Sequence, residues 1–139
     1  MILLDTNVAV ALINRTSQLV RTRFSAMRNA GGTIALSSIV VFELRYGVAR
    51  SQRKQFNAAA VNEFQFGGGN LLLLPFDDED AAHAGALRAA LAARGMPIGP
   101  YDVLIAGQAL RHRATLVTAN TREFARVPGL KVEDWTRAE

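Results

Sequence analysis

The sequence predicts an α/β protein, a three-layer α/β/α sandwich around a central, mostly parallel sheet. Short apolar runs at 1–4, 33–36, 71–74 and 115–118 alternate with longer segments of helical character. Strands separated by helical crossovers pair in parallel and bury both faces of the sheet. The apolar runs also end in polar residues, Asp5 after the first and Thr118-Ala-Asn120 at the end of the fourth. Open α/β sheets carry their chemistry at the carboxyl ends of strands. No repeat, low-complexity tract or long linker divides the 139 residues, so one domain spanning 1–139 is expected.

The elements follow in order. Residues 1–4 are a buried strand. Asp5 and Thr6 are good N-caps, and 6–15 is a helix whose apolar face runs through Val10, Ala11 and Ile13. A second helix, 18–30, turns Leu19, Phe24 and Met27 inward and Arg21, Arg23 and Arg28 outward, and Gly31-Gly32 ends it. After the strand at 33–36, Ser37 or Ser38 caps a helix over 39–50. Another helix covers 52–66 and is closed by Gly67-Gly68-Gly69. Pro75 ends the strand at 71–74. The alanine-rich helix 77–94 carries its acids in the first turn, where the helix dipole favours them. Pro100 sits near the start of a helix over 101–113. The strand at 115–118 is followed by a short helix at 121–126 and a last edge strand at 131–133.

Composition limits the chemistry. Hydrophobic residues make up 50% and charged residues 20%, which suits a packed globular domain. With no cysteine, a disulfide framework or thiolate metal site is excluded. With only two histidines, a bound metal would be a hard cation on carboxylates, such as Mg²⁺ or Mn²⁺. The net charge of +4 suits a polyanionic partner. The N-terminus lacks the basic region of a signal peptide, and no apolar stretch is long enough to span a bilayer. A cytoplasmic protein without membrane attachment is expected.

Three acids stand in unusual surroundings. Asp5 ends the first strand, as a helix cap, a site residue, or both. Glu43 lies inside Ile39-Val-Val-Phe-Glu-Leu, where a carboxylate is costly unless paired or metal-bound. The bland alternative is an exposed stripe with Glu43 paired to Arg45, Arg50 or a neighbouring helix. Asp102 lies in the first turn of its helix, between Ile98 and Val103–Ile105. Carboxylates brought together repel and raise one another's pKa, and a divalent cation relieves the repulsion. A histidine mechanism needs a positioned pair. His83 lies on the alanine-rich helix and His112 between Arg111 and Arg113 in a solvated setting, so that reading is set aside. Asp5-Thr6-Asn7 is similar to the Asp-x-Asp loop of haloacid-dehalogenase-type phosphatases, but the second acid is Asn7 and no lysine matches. A phosphoacceptor receiver domain lacks its middle-strand aspartate and late lysine at Ser37 and Thr118.

Four motifs together resemble the PIN domain, and within it the VapC-type toxins of bacterial toxin–antitoxin pairs. They are Leu3-Leu4-Asp5-Thr6-Asn7, Val41-Phe42-Glu43-Leu44-Arg45-Tyr46-Gly47, Asp102-Val103-Leu104-Ile105-Ala106 and Leu116-Val117-Thr118-Ala119-Asn120-Thr121-Arg122-Glu123-Phe124. The ending Val127 to Trp135 is similar too, so the resemblance covers essentially the whole chain. It implies an endoribonuclease dependent on Mg²⁺ or Mn²⁺, usually a homodimer, restrained by a VapB-type antitoxin. By that resemblance Asp5, Glu43 and Asp102 are the catalytic, metal-binding acids. Thr118 is the supporting hydroxyl, with Thr6, Asn7, Asn120 and Glu123 around it. The fourth acid of many PIN domains falls at Asn120. Either Glu123 compensates through a water, or one metal binds tightly without substrate. Arg45 and Tyr46 adjoin Glu43 and are the candidate RNA-binding residues. The alternative is a catalytically silent PIN-like module that binds RNA or protein. A groove lined by Val10, Leu19, Phe42 and Val48 is the expected seat for an antitoxin helix.

Overall fold

The computed structural model describes residues 1–138. Five strands form one sheet in the order β3-β2-β1-β4-β5, and every neighbouring pair is parallel. β1 (Ile2–Leu4) leads through α1 (Thr6–Asn14) and α2 (Gln18–Asn29) to β2 (Ile34–Ser37). From there α3 (Ser38–Ala49) and α4 (Lys54–Phe66) lead to β3 (Leu72–Leu74). The chain then crosses back through α5 (Asp78–Ala93) and α6 (Pro100–Arg111) to β4 (Thr115–Val117), on the other side of β1. α7 (Thr121–Phe124) and the edge strand β5 (Lys131–Glu133) close the chain.

Strand pleating separates the two faces. Leu3, Ala35 and Leu116 point into a large core shared with α3, α5 and α6. Ile2, Leu4, Ile34 and Val117 point into a smaller core covered by α1, α2 and Trp135. Helices on both sides of a parallel sheet account for the complete burial of β1 and β2.

Two helix faces differ from expectation. In α1 the buried residues are Val8 and Ala9, while Val10 is 38% exposed. α1 is wedged between both cores, Ala9 and Ile13 against one and Val8 and Leu12 against the other. Its apolar pattern therefore has no single stripe. In α2, Val20 is fully buried, with Phe24 and Met27 packed beside it. Leu19 lies about 100° around the helix from Val20 and falls off that stripe. The α6 C-cap His112 is not in the solvated setting expected. Its Nε2 lies 3.5 Å from the fully buried Asp80. Asp80 also accepts from Arg111 at 3.0 Å and from Gln108 at 3.1 Å, which locks α5 to α6. Gly107 lets these helices meet, since a Cβ there would lie 2.5 Å from the Cα of Ala84.

The strand order reverses between β1 and β4. Chains leaving their carboxyl ends diverge to opposite sides, opening the crevice where α/β sheets bind ligands. Leu4 pairs with Val117, so Asp5 and Thr118 are the next residues on adjacent strands at that point.

Candidate active site

Asp5 lies at this switch point and is 5% exposed. It caps α1 and ties the end of β1 to that of β4, one oxygen to each task. Oδ1 accepts the Thr6 backbone N–H at 2.8 Å, and Oδ2 accepts the Thr118 hydroxyl at 2.7 Å. Burial pushes the Asp5 pKa above the usual aspartate value, and the two hydrogen bonds pull against that rise.

Glu43 reaches the same place from α3. Ser37, the last residue of β2, caps α3 through the Ile39 N–H at 3.0 Å, which fixes where the helix begins beside β1. Glu43 is only partly buried, and it pairs with neither Arg45 nor Arg50. Its Oε1 accepts the Thr6 hydroxyl at 2.7 Å. Thr6 thus joins the acids, by its backbone to Asp5 and by its side chain to Glu43.

On the far side, the Thr118 hydroxyl accepts the Asn120 N–H at 3.0 Å. Asn120 donates its amide to Glu123 Oε2 at 2.7 Å, and Glu123 Oε1 accepts the N–H of Gly99 at 2.6 Å. These bonds hold the Glu123 pKa below the usual glutamate value, the Gly99 contribution first. A carboxylate in place of Asn120 would set two anions against each other, so the amide is what allows Glu123 to approach. An unbroken chain of bonds runs from Glu43 through Thr6, Asp5, Thr118, Asn120 and Glu123 to Gly99, the N-cap of α6.

Asp102, in the first turn of α6, stands outside that chain, and its side chain makes no hydrogen bond among the described residues. Burial, then the charges of Asp5, Glu123 and Glu43, push its pKa up to about 6. No Lys, Arg or His among the described residues lies within ion-pair distance of Asp5, Glu43 or Asp102. The donor set is all carboxylate and hydroxyl oxygen, which fits a hard divalent cation. No three His, Asp or Glu side chains among the described residues are already gathered at ligand distance of one point. Asp5 and Glu43 are nonetheless within electrostatic reach of Asp102.

The chain matches the family model described as PIN domain over residues 2–130. It is 40% identical over 134 residues to a protein of Shigella flexneri named tRNA(fMet)-specific endonuclease VapC, covering 96% of this chain and 97% of that one. This chain belongs to the PIN domain family and, within it, to the VapC proteins. Its fold agrees with that of VapC in solved complexes. The structure of VapBC2 from Rickettsia felis bound to a promoter DNA fragment gives a TM-score of 0.89 at 37% identity, covering 97% of this chain and 99% of that one. DNA-bound VapBC from Salmonella typhimurium gives 0.87 at 39% identity, covering 96% and 97%.

In this PIN domain the remaining candidates separate. Asn7 is exposed and makes no side-chain hydrogen bond among the described residues. The Arg45 guanidinium turns to α4, donating to Asn62 at 2.6 Å and Gln65 at 3.3 Å. It braces two helices and does not face the acids. Tyr46 is 59% exposed, with Arg50 over its ring at 5.3 Å. His83 bonds only the backbone oxygen of Glu79 in its own helix. The role of Gly99 was not anticipated. Its one signal in the sequence is its position immediately before Pro100-Tyr101-Asp102.

Proposed function

We propose that this protein is the toxin ribonuclease of a VapBC-type pair and cuts RNA with the help of Mg²⁺ or Mn²⁺. The observation that carries the reading is the set of acids at the switch point: Asp5, Glu43 and Asp102 share one crevice without a protein cation to neutralise them. The VapC relatives, one of them named as an endonuclease, supply the reaction class.

A divalent cation bound there would supply Lewis acidity to a phosphodiester oxygen and lower the pKa of a bound water. Asp5 and Asp102 are the residues to hold it, with Glu43 alongside. Thr118 and the Thr6 N–H keep Asp5 in one rotamer and leave lone pairs on both of its oxygens free. Glu43 is bonded through one oxygen only and presents the other to a water or its proton. Asp102, with a pKa of about 6 before a cation binds, is ionised at neutral pH and so available as a ligand. The charge of Glu123 reaches Asp5 and Asp102. Glu123 also positions the loop before α6, and so Asp102, through Gly99.

The antitoxin is proposed to sit in the groove of about 260 Å³ between α1, α3 and α4. Val10, Ile13, Leu44, Val48 and Val61 line it, and Glu43 stands in its wall. Val10 and Val48 are there as expected, while Leu19 and Phe42 are not. A homodimer is proposed from the same family reading.

The experiment is cleavage of total RNA with Mn²⁺ and with a chelator, followed by mapping of the new 5′ ends. Initiator tRNA is the first expected target, after the named activity of the Shigella relative. Cleavage that persists in chelator would remove the metal. Tight RNA binding with no cleavage under any cation would favour a silent binding module.

A further inference from the structure

Two aromatic side chains flank the acids and are used by neither the fold nor the hydrogen-bond chain. Phe42 immediately precedes Glu43 on α3, and Tyr101 immediately precedes Asp102 on α6. Their ring centroids are 5.3 Å apart with planes tilted at 57°. Phe42 is 49% and Tyr101 45% exposed. Each ring thus keeps about half of its surface open to solvent.

The pair is the head of a longer stripe. Phe42, Tyr46 and Arg50 recur every fourth residue along α3 and all lie at the surface. Each step advances about 6 Å along the helix. Arg50 lies over the Tyr46 ring, and beyond it Arg53 lies 4.0 Å over the Phe56 ring. The stripe carries cations and aromatic faces and no acid, and it starts at the carboxylates. A nucleic-acid strand offers what the stripe lacks, phosphates for the guanidiniums and bases for the rings.

We propose that Tyr101, Phe42 and Tyr46 are a stacking platform for unpaired bases of the RNA substrate, with Arg50 following the phosphates. This rests on the ribonuclease reading and narrows it to RNA that is single-stranded where it is cut. A paired base keeps both faces in its own helix, whereas an unpaired one can stack on an aromatic side chain or a guanidinium plane. Stacking accepts any base, so the platform places the strand against Asp5 and Asp102 without reading sequence.

The test is binding of a labelled single-stranded RNA containing 2-aminopurine, with the whole chain in chelator so that nothing is cut. Phe42→Ala and Tyr101→Ala should each weaken binding about tenfold, within the range found for single base–aromatic stacks. Phe42→Tyr and Tyr101→Phe keep a ring and should bind as the wild type does. The wild type should quench 2-aminopurine and each alanine variant should quench it less. The same sequence as a duplex should bind the wild type and alanine variants equally. Melting temperatures should fall by no more than a few degrees, because each ring is about half exposed. Equal single-strand affinity in the alanine variants overturns the platform. So does unchanged RNA affinity together with loss of a dimer in sedimentation, which would assign the stripe to self-association. Wild type that cuts no RNA with Mn²⁺ sinks the ribonuclease reading as well. Wild type that cuts, beside alanine variants with unchanged KM, sinks the platform alone.

Discussion

Thr118 donates its hydroxyl to Asp5 across the junction of β4 and β1 at 2.7 Å, and the same oxygen accepts the Asn120 N–H at 3.0 Å. Thr118 is fully buried and Asp5 nearly so, so the bond between them has little water to replace it, while the Asn120 N–H is only partly buried. Thr118→Val keeps the shape and removes both bonds. It should cost about 1–3 kcal/mol, the usual consequence of stranding buried polar groups. Thr118→Ser should recover most of that. The denaturant midpoint of the three proteins measures it, and a valine variant as stable as the wild type would show that the hydroxyl holds nothing in place.

Asp5→Asn should abolish RNA cleavage and leave the fold intact. The amide has one acceptor oxygen where the carboxylate uses two, so one bond is lost. The Thr6 N–H is only partly buried and can find water. Against that loss, a carboxylate whose pKa is raised by burial is replaced by a neutral group. Stability without metal should therefore hold level or rise. Circular dichroism with a cleavage assay decides, and wild-type cleavage by this variant would sink the metal-site assignment.

How far the sequence revealed this site depends on the range of each interaction. Asp5 was visible as an acid ending a strand, but its local preference could not separate cap from site, since its two oxygens serve both. The sheet was legible because strand runs, turns and helix periods are local signals. The Gly99–Glu123 bond joins residues 24 apart, and the Asp80–Gln108–Arg111 lock joins two helices. Both depend on how a crossover packs, which periodicity does not encode. Arg45 is close to Glu43 in sequence. One step along a helix turns a side chain about 100°, enough to point it at α4 instead.

Asp102 makes stability depend on pH with a definite sign. Its folded pKa of about 6 lies above the unfolded value of 3.8. The folded state therefore holds its proton more tightly, and stability falls as pH rises from about 4 to about 6, then levels. Asp5 contributes in the same sense. Mn²⁺ needs the ionised carboxylate, so the metal-induced rise in melting temperature should be larger at pH 7.5 than at pH 5. In Asp102→Asn both the pH slope in chelator and the Mn²⁺ gain should shrink. Equal Mn²⁺ shifts in the two proteins would show that Asp102 is not a ligand.

Gly99 is placed to test positioning apart from charge. A Cβ there would stand 3.0 Å from Asp102 Oδ2, closer than atoms normally approach. Its backbone, at φ −54° and ψ 150°, is open to alanine without strain. Gly99→Ala should fold normally and keep the N–H to Glu123 while pushing the Asp102 carboxylate aside. The expected result is weaker cleavage and weaker Mn²⁺ binding at unchanged melting temperature. Wild-type values for both would mean that the Asp102 carboxylate shifts without consequence.

The antitoxin prediction follows from Glu43 standing in the wall of an apolar groove. A helix laid between α1, α3 and α4 would cover Val10, Ile13 and Val48 and run beside the acids. A basic side chain from it would meet carboxylates that have no protein cation of their own. An arginine suits them best, because its planar fork bonds two carboxylate oxygens at once and stays charged when desolvated. It would neutralise the crevice and occupy the place of the metal. Mn²⁺ affinity of the toxin should therefore fall when the antitoxin is bound and recover with an arginine-to-alanine antitoxin. Val48→Arg should weaken the complex and leave cleavage by the free toxin unchanged, since Val48 lies on the groove and not among the acids. If the complex binds Mn²⁺ as tightly as the free toxin and the alanine antitoxin inhibits equally well, restraint acts elsewhere on the molecule.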